Sequence, residues 1–321
     1  MNTTKKLIQI LANSNDFISG QELADKLQVS RTAVWKAIKT LQNEGYAIES
    51  RQKSGYRLAD NDKLSAALIK SYLPTDLQLD FEIHQSLNST NTRAKELAAM
   101  SKLTNPLVII SEEQTAGYGR HGRFFSSPQK TGIYLSLLLN NTHTNFNPGL
   151  LTTAAAVAMH RTILHKLDTT AQIKWVNDLL LNNKKVCGIL TEGIVDLESR
   201  SVSQIILGCG INYLTPLSSF DYDLKKTVAS LRDQALAKNV SRNEFIASFL
   251  SEFFDIYSNY QTASFMDEYR KNCYLLNHEV TITQGDKVFN SVAVNINDNG
   301  ELVLANGQTL SSGEVTKIRP R

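Results

Sequence analysis

The sequence predicts an α+β chain of several domains: a helical head closed by a hairpin, a mixed sheet with helices, and a small β-barrel. Three observations predict it. At 321 residues the chain is too long for one ordinary domain. Its apolar period is helical at first, mixed in the middle, and that of short strands at the end. Charge is also unevenly divided. Residues 1–60 hold nine of the 34 Lys/Arg and six of the 31 Asp/Glu, so the whole net charge of +3 lies there and the remainder balances. Such a head suits a polyanionic partner.

In the head, Leu7, Ile8, Ile10 and Leu11 fall at helical spacing within Lys5–Leu11, and Leu23, Ala24 and Leu27 mark a second helix over Gln21–Leu27. Ser30 is an N-cap for a third, Arg31 to about Asn43, with Val34, Ile38 and Leu41 inward. Its outward residues Arg31, Thr32, Trp35, Lys36 and Lys39 include no acid, with Trp35 read as either exposed at a DNA face or partly packed. Tyr46–Ser50 and Gly55–Leu58 read as strands around a basic turn containing Arg51 and Lys53. Together these make a winged helix-turn-helix, the third helix suited to a major groove and the hairpin to phosphate or the minor groove. Ser30, Arg31, Thr32, Trp35, Lys36, Lys39, Arg51 and Lys53 are its candidate DNA-binding residues.

Composition excludes other classes. There is no run of eighteen apolar residues for a membrane span. The first residues have no secretory pattern, and Cys187, Cys209 and Cys273 lack metal-ligand spacing. The expectation is a cytoplasmic chain with reduced, buried thiols.

Residues 60–63 read as a linker, followed by a short helix, Ser65–Leu73, that ends before Pro74. Strand signals then fall at Phe81–His84, Leu107–Ser111, Ile133–Leu139, Gln172–Trp175, Val186–Ile194 and Val202–Gly208. Helical patterns fall at Arg93–Met100, Gly149–Leu167 and Ser241–Tyr260, the last opened by a Ser241/Glu244 capping box. From Glu279 to Ile318, short strands are broken by Gly285-Asp286, Asp298-Asn299-Gly300, Asn306-Gly307 and Ser312-Gly313, as in a small barrel.

The chemistry concentrates in Gln114-Thr115-Ala116-Gly117-Tyr118-Gly119-Arg120-His121-Gly122-Arg123. It contains a formal Gly-x-Gly-x-x-Gly, but Phe124–Pro128 blocks a following helix and no acid lies between Glu113 and Asp168. The dinucleotide reading therefore fails, and so does a P-loop, for want of Gly-Lys-Ser/Thr. What remains is a flexible glycine loop with two arginines, able to wrap an anion; a plain surface loop is the bland alternative. Lys174-Trp175-Val176-Asn177-Asp178 and Lys185-Val186-Cys187-Gly188 add charge in apolar strands, giving a candidate clamp for phosphate and carboxylate. Ser89-Thr90-Asn91 is either a third element or a bare helix cap.

These motifs, with Gly208-x-Gly210-Ile211-Asn212, occur in the order seen in biotin protein ligases. With the head, the whole chain resembles the bifunctional biotin ligases and biotin-operon repressors of bacteria. The resemblance implies domains over 1–60, 65–270 and 271–321. They are a winged helix-turn-helix, a ligase domain related to class II tRNA synthetases, and an SH3-like barrel. It implies an enzyme that joins biotin and ATP to biotinyl-5′-AMP and passes biotin to a lysine of a carboxylase's biotin carrier domain. It implies Mg²⁺, the adenylate as corepressor, and a homodimer on double-stranded operator DNA.

Residue by residue, the resemblance implies that Ser89, Thr90 and Gln114 hold the ureido and neighbouring parts of biotin. Asn91, Tyr118, Gly119 and Gly188 belong to the same site. Arg120 lies near the carboxylate and α-phosphate, and Lys185 bridges the two. Lys174 and Asp178 serve the nucleotide, Asp178 also Mg²⁺, and Gly117, Arg123, Asn177 and Asn212 complete the nucleotide side. Phe220 or Tyr222 accompanies Asn212 at adenine. Two positions depart from the family pattern: Tyr118 stands for an arginine and Val176 for a proline.

Overall fold

The computed structural model describes residues 3–317 apart from 101–102, 143–145, 197, 199, 285 and 312. Gly285, Ser312 and Ile318, which figured in the expected tail, lie outside the described residues. The chain divides into two compact units, residues 1–75 with 240–248, and residues 76–239 with 249–321.

The first unit runs α1 (Thr3–Ala12), α2 (Gly20–Leu27), α3 (Arg31–Asn43), β1 (Ala47–Arg51), β2 (Gly55–Ala59) and α4 (Ala66–Tyr72). The Ser19 and Ser30 hydroxyls cap α2 and α3, accepting from the Glu22 and Ala33 amides at 3.1 Å. Leu7, Leu11, Leu23, Val34, Ile38 and Leu41 form its core with Ile48 from the hairpin. β1 and β2 pair antiparallel, and Ile18 exchanges two hydrogen bonds with Tyr56 as a third, one-residue strand. Gly55 permits this. Its φ is +109°, and a Cβ there would fall 2.0 Å from the Ile18 carbonyl oxygen.

Residues 60–63, expected as a linker, are tied down. The Arg242 amide and Nε donate to the Asp62 carboxylate at 2.8 and 2.7 Å, and Asn243 donates to the Lys63 carbonyl at 2.9 Å.

The second unit begins with β3 (Asp80–His84), α5 (Thr90–Ala98), β4 (Leu107–Ser111), β5 (Ile133–Asn140), α6 (Pro148–Leu167), β6 (Gln172–Lys174), β7 (Asp178–Leu181), β8 (Lys184–Asp196) and β9 (Ser201–Ile211). Seven strands form a mixed sheet in the order β3-β4-β5-β9-β8-β7-β6, parallel only between β3 and β4. α6 is apolar nearly all round and correspondingly buried, opened by Asn147 as cap and Pro148. α7 (Tyr222–Lys225), α8 (Arg232–Lys238), α9 (Arg242–Tyr257), whose residues up to 248 belong to the first unit, and α10 (Met266–Lys271) follow. Several details differ from expectation, including the short helices α7, α8 and α10, which no sequence pattern marked. α5 starts at Thr90 rather than Arg93, because Ser89 is its N-cap. The four-residue β7 escaped notice because it is too short to show a period.

The tail forms β10 (His278–Gln284), β11 (Lys287–Ile296), β12 (Leu302–Leu304), β13 (Thr309–Leu310) and β14 (Glu314–Lys317). They make an antiparallel sheet ordered β13-β12-β11-β10-β14 over Val280, Ile282, Ile296, Leu302 and Leu304. Among the described residues β13 and β14 do not pair, so a C-terminal β-sheet stands where a closed barrel was expected. No described helix is long and apolar enough to cross a membrane.

Candidate functional site

Strand register builds the floor of the site. Lys174 on β6 lies opposite Asp178 on β7, Asp178 opposite Gly188 on β8, and Gly188 opposite Gly210 on β9. One row across the sheet therefore runs from a cation, through a carboxylate, to two residues without side chains. Each glycine makes room for a neighbour. A Cβ at 188 would fall 2.7 Å from Lys185 Nζ, one at 210 would fall 2.6 Å from the Phe125 ring, and one at 208 would fall 2.2 Å from Asn91 Oδ1. Above this floor is a cavity of about 560 Å³, within the usual size of a small-molecule site.

Ser89, Thr90, Asn91, Gln114, Tyr118, Gly119, Arg120, Arg123, Lys174, Asn177, Asp178, Lys185, Gly188 and Asn212 all line it. Gly117 does not: its carbonyl accepts from the Phe125 amide at 2.9 Å, and the residue serves the loop's own shape. That loop is folded rather than irregular. Gly119 donates to the Arg123 carbonyl at 2.8 Å, and Arg120–Gly122 form a single 3₁₀ turn with His121 at φ +57°. Phe220 lines the cavity and is buried, whereas Tyr222 is exposed beneath Lys226.

One end of the cavity is neutral and polar. Gln114 Oε1 accepts from the Thr90 amide at 2.8 Å and its Nε2 donates to Ser127 Oγ at 2.9 Å. The Ser136 hydroxyl sits 2.7 Å from Thr90 Oγ1 and 2.5 Å from Asn91 Oδ1. Ser89 occupies the N-cap position of α5 without a side-chain capping bond, and it is buried. Held donors and acceptors in a half-closed pocket suit a ligand rich in amide groups.

The other end is charged. Lys185 Nζ lies 2.5 Å from Asp178 Oδ1, a buried atom with no hydrogen-bond partner among the described residues. Arg120 makes a long 3.5 Å contact to Asn177 Oδ1, whose Nδ2 donates to the Ile189 carbonyl at 2.9 Å. Asn212 is buried and gives its Nδ2 to the Ala229 carbonyl at 3.0 Å, which ties residues 227–229 beside Lys185. The Trp175–Val176 peptide is cis, and Trp175 Nε1 donates to the Gly300 carbonyl at 2.9 Å. Burial pushes the Cys187 thiol up, leaving it a neutral packing group.

Sequence reading missed Ser127, Ser136, Phe125, Lys95 and Glu192. Glu192 had a signal, an acid following the apolar run of β8. It accepts from Asn91 Nδ2 at 2.9 Å and from Lys95 at 2.8 Å. Burial pulls the Lys95 ammonium down, but hydrogen bonds to Glu192 and Tyr118 outweigh it and hold the pKa up.

In the head, Arg31, Thr32, Trp35, Lys36, Lys39, Arg51 and Lys53 are all exposed, Trp35 at 51%. Ser30 is held in its cap. Arg31, Thr32, Trp35, Arg51 and Lys53 border one groove between the starts of α2 and α3 and the hairpin, whereas Lys36 and Lys39 lie beyond it. Phe17 and Arg57 were missed. The Arg51 and Arg57 guanidinium groups lie 4.6 and 4.8 Å from the Phe17 ring centroid, a platform that orders the hairpin's charge.

A family model described as the biotin/lipoate A/B protein ligase family matches residues 83–212, and an HTH-domain model matches residues 3–57. A bifunctional ligase/repressor of Bacillus subtilis is 38% identical over 264 residues, covering 81% of this chain and 80% of that protein. The Escherichia coli bifunctional ligase/repressor is 28% identical over 306 residues, covering 93% and 91%. The biotin protein ligase of Aquifex aeolicus, solved in complex with biotin and ATP, shares the fold with a TM-score of 0.58 at 21% identity, covering 75% of this chain and 99% of that one. A helix-turn-helix head joined to a ligase sheet, with a relative this similar over four fifths of its length, places the chain in the biotin/lipoate A/B protein ligase family, in its bifunctional ligase/repressor branch.

Proposed function

We propose that this protein condenses biotin with ATP to biotinyl-5′-AMP, transfers biotin to a lysine of a carboxylase's carrier domain, and represses transcription as an adenylate-bound homodimer on operator DNA. The observation that carries the reading is one cavity with a neutral hydrogen-bonding end at Thr90 and Gln114 and a charged end at Lys174, Asp178 and Lys185. That asymmetry matches a neutral ureido ring whose carboxylate must meet a polyphosphate.

The chemistry asks for positioning and charge. A biotin carboxylate oxygen attacks the α-phosphorus and pyrophosphate leaves; a carrier lysine amine then attacks the acyl carbon and AMP leaves. Two anions must approach in the first step, and Arg120, Lys174 and Lys185 offset their repulsion and the charge that develops on the phosphoryl oxygens. Ser89, Thr90 and Gln114 orient the ring, and Asn177 holds Arg120 toward the junction. Phe220 and Asn212 border the adenine side. His121, exposed in the 3₁₀ turn of the glycine loop, borders the cavity and has no part in the chemistry.

Mg²⁺ fits this donor set. No group of three or more His, Cys, Asp or Glu that could hold a metal is present among the described residues, but Asp178 supplies one partly buried carboxylate, and Mg²⁺ commonly takes one or two with substrate phosphates completing the shell. When bound it would add positive charge at the phosphates; Asp178 would exchange its pairing with Lys185 for it.

Finer assignments follow the same reading. Residues 1–60, 65–270 and 271–321 act as a winged DNA-binding head, a synthetase-like ligase domain and an SH3-like module, in a cytoplasmic protein. Biotin-dependent exchange of pyrophosphate into ATP tests the enzyme. Exchange should be present in the native protein and fall on the order of 10²-fold or more in Lys185→Ala. Its absence at saturating biotin and Mg²⁺, with biotin still bound, would instead identify a sensor without ligase activity.

A further inference from the structure

Tyr118 reaches from the loop to α5 and β8 beside the cavity. Its hydroxyl lies 3.2 Å from Glu192 Oε2 on β8 and 3.1 Å from Lys95 Nζ on α5, and the Lys95 ammonium also sits 5.4 Å from the Tyr118 ring centroid. These two residues are joined to each other at 2.8 Å. The Glu192 oxygen that accepts from Tyr118 also accepts from Asn91, which ends against Ser136 beneath the neutral end of the cavity. A loop residue, a helix, a strand and the ligand pocket thus share one carboxylate.

We infer that Tyr118, Lys95 and Glu192 form a latch that holds the glycine loop over the bound adenylate and sets how long that intermediate is retained. The inference rests on the ligase reading and concerns positioning: Tyr118 acts through Glu192 and Lys95, neither of which lines the cavity. Three features support a latch over simple packing. The contact is made by a hydroxyl with a donor on one side and an acceptor on the other. Its carboxylate partner is only partly exposed, so the bond is poorly screened. The loop is also folded on itself through the 117–125 and 119–123 backbone bonds, so a tether at Tyr118 acts on a preformed unit.

The test uses the full-length protein loaded with biotinyl-5′-AMP, its dissociation followed after trapping by excess unlabelled adenylate. Tyr118→Phe, which keeps the ring and removes the hydroxyl, should release the adenylate about tenfold faster, the loss expected for one hydrogen bond to a charged group. Glu192→Gln should do the same, and the double variant should be no faster than either single one, since both break the same link. Tyr118→Arg, which replaces the hydroxyl with a charged donor to a carboxylate, should release the adenylate more slowly than Tyr118→Phe. A release rate within twofold of native in Tyr118→Phe, or multiplicative effects in the double variant, would overturn the latch. Pyrophosphate exchange in the native protein reports separately on the ligase reading, so the two failures are distinguishable.

Discussion

At the scale of single residues, the floor of the site depends on atoms that are missing. Gly208→Ala is the sharpest probe, because its methyl carbon would fall 2.2 Å from Asn91 Oδ1 while the backbone at 208 needs no special conformation. The expected result is a weakening of biotin binding by about tenfold or more with the fold intact, since overpacking at a well-filled site costs roughly 1–3 kcal/mol; calorimetric titration with biotin checks it. The charged residues of the site were legible because a lysine or an Asn-Asp pair in an apolar strand is anomalous on sight. The polar residues behind them were not. Ser136 and Glu192 act on Asn91 from 45 and 101 residues away, and no local pattern encodes a contact of that separation.

At the scale of elements, most helices and strands were legible from period and caps, and the exceptions have local causes. β7, α7, α8 and α10 are four to seven residues long, too short to show a period, and α5 begins three residues early with Ser89 at its N-cap. Residues 60–63 look like a linker by composition, yet Asp62 holds the first turn of α9 through Arg242, whose side chain is 3% exposed. Burial pushes the Asp62 carboxyl up, and the attraction of Arg242 does not fully reverse it. Asp62→Ala should destabilise the protein by about 3 kcal/mol, because the guanidinium stays buried after its carboxylate is gone. The folded pKa lies above the unfolded one, so the contribution of this group is complete below the ordinary aspartate value and declines as pH rises through the folded value. The gap between native and variant, measured by urea denaturation, should therefore widen as pH falls toward 4.

At the scale of the whole molecule, two functions occupy separate compact units, and the division was visible in the distribution of charge before any element was assigned. Excess positive charge in the first sixty residues predicts DNA binding that weakens steeply with salt. Arg31→Ala should lower operator affinity and flatten the slope of log K against log salt by about one unit, as for one lost phosphate contact. A variant with an unchanged slope would take Arg31 off the DNA surface. What the sequence could not convey was closure of the C-terminal strands. Alternation marks a strand and turn pairs mark its ends, but neither tells whether the first and last strands meet.

The two tryptophans have an optical consequence. Trp35 stands half in solvent at the edge of the basic groove, while Trp175 is 3% exposed in the cavity wall with its indole N–H fixed to a backbone carbonyl. With no other indole in the chain, emission separates by colour. The red, quencher-accessible component belongs to the basic groove and the blue, shielded component to the cavity wall. The unlabelled protein is thus a two-channel fluorophore, able to time loading of the cavity and engagement of DNA in a single mixing experiment.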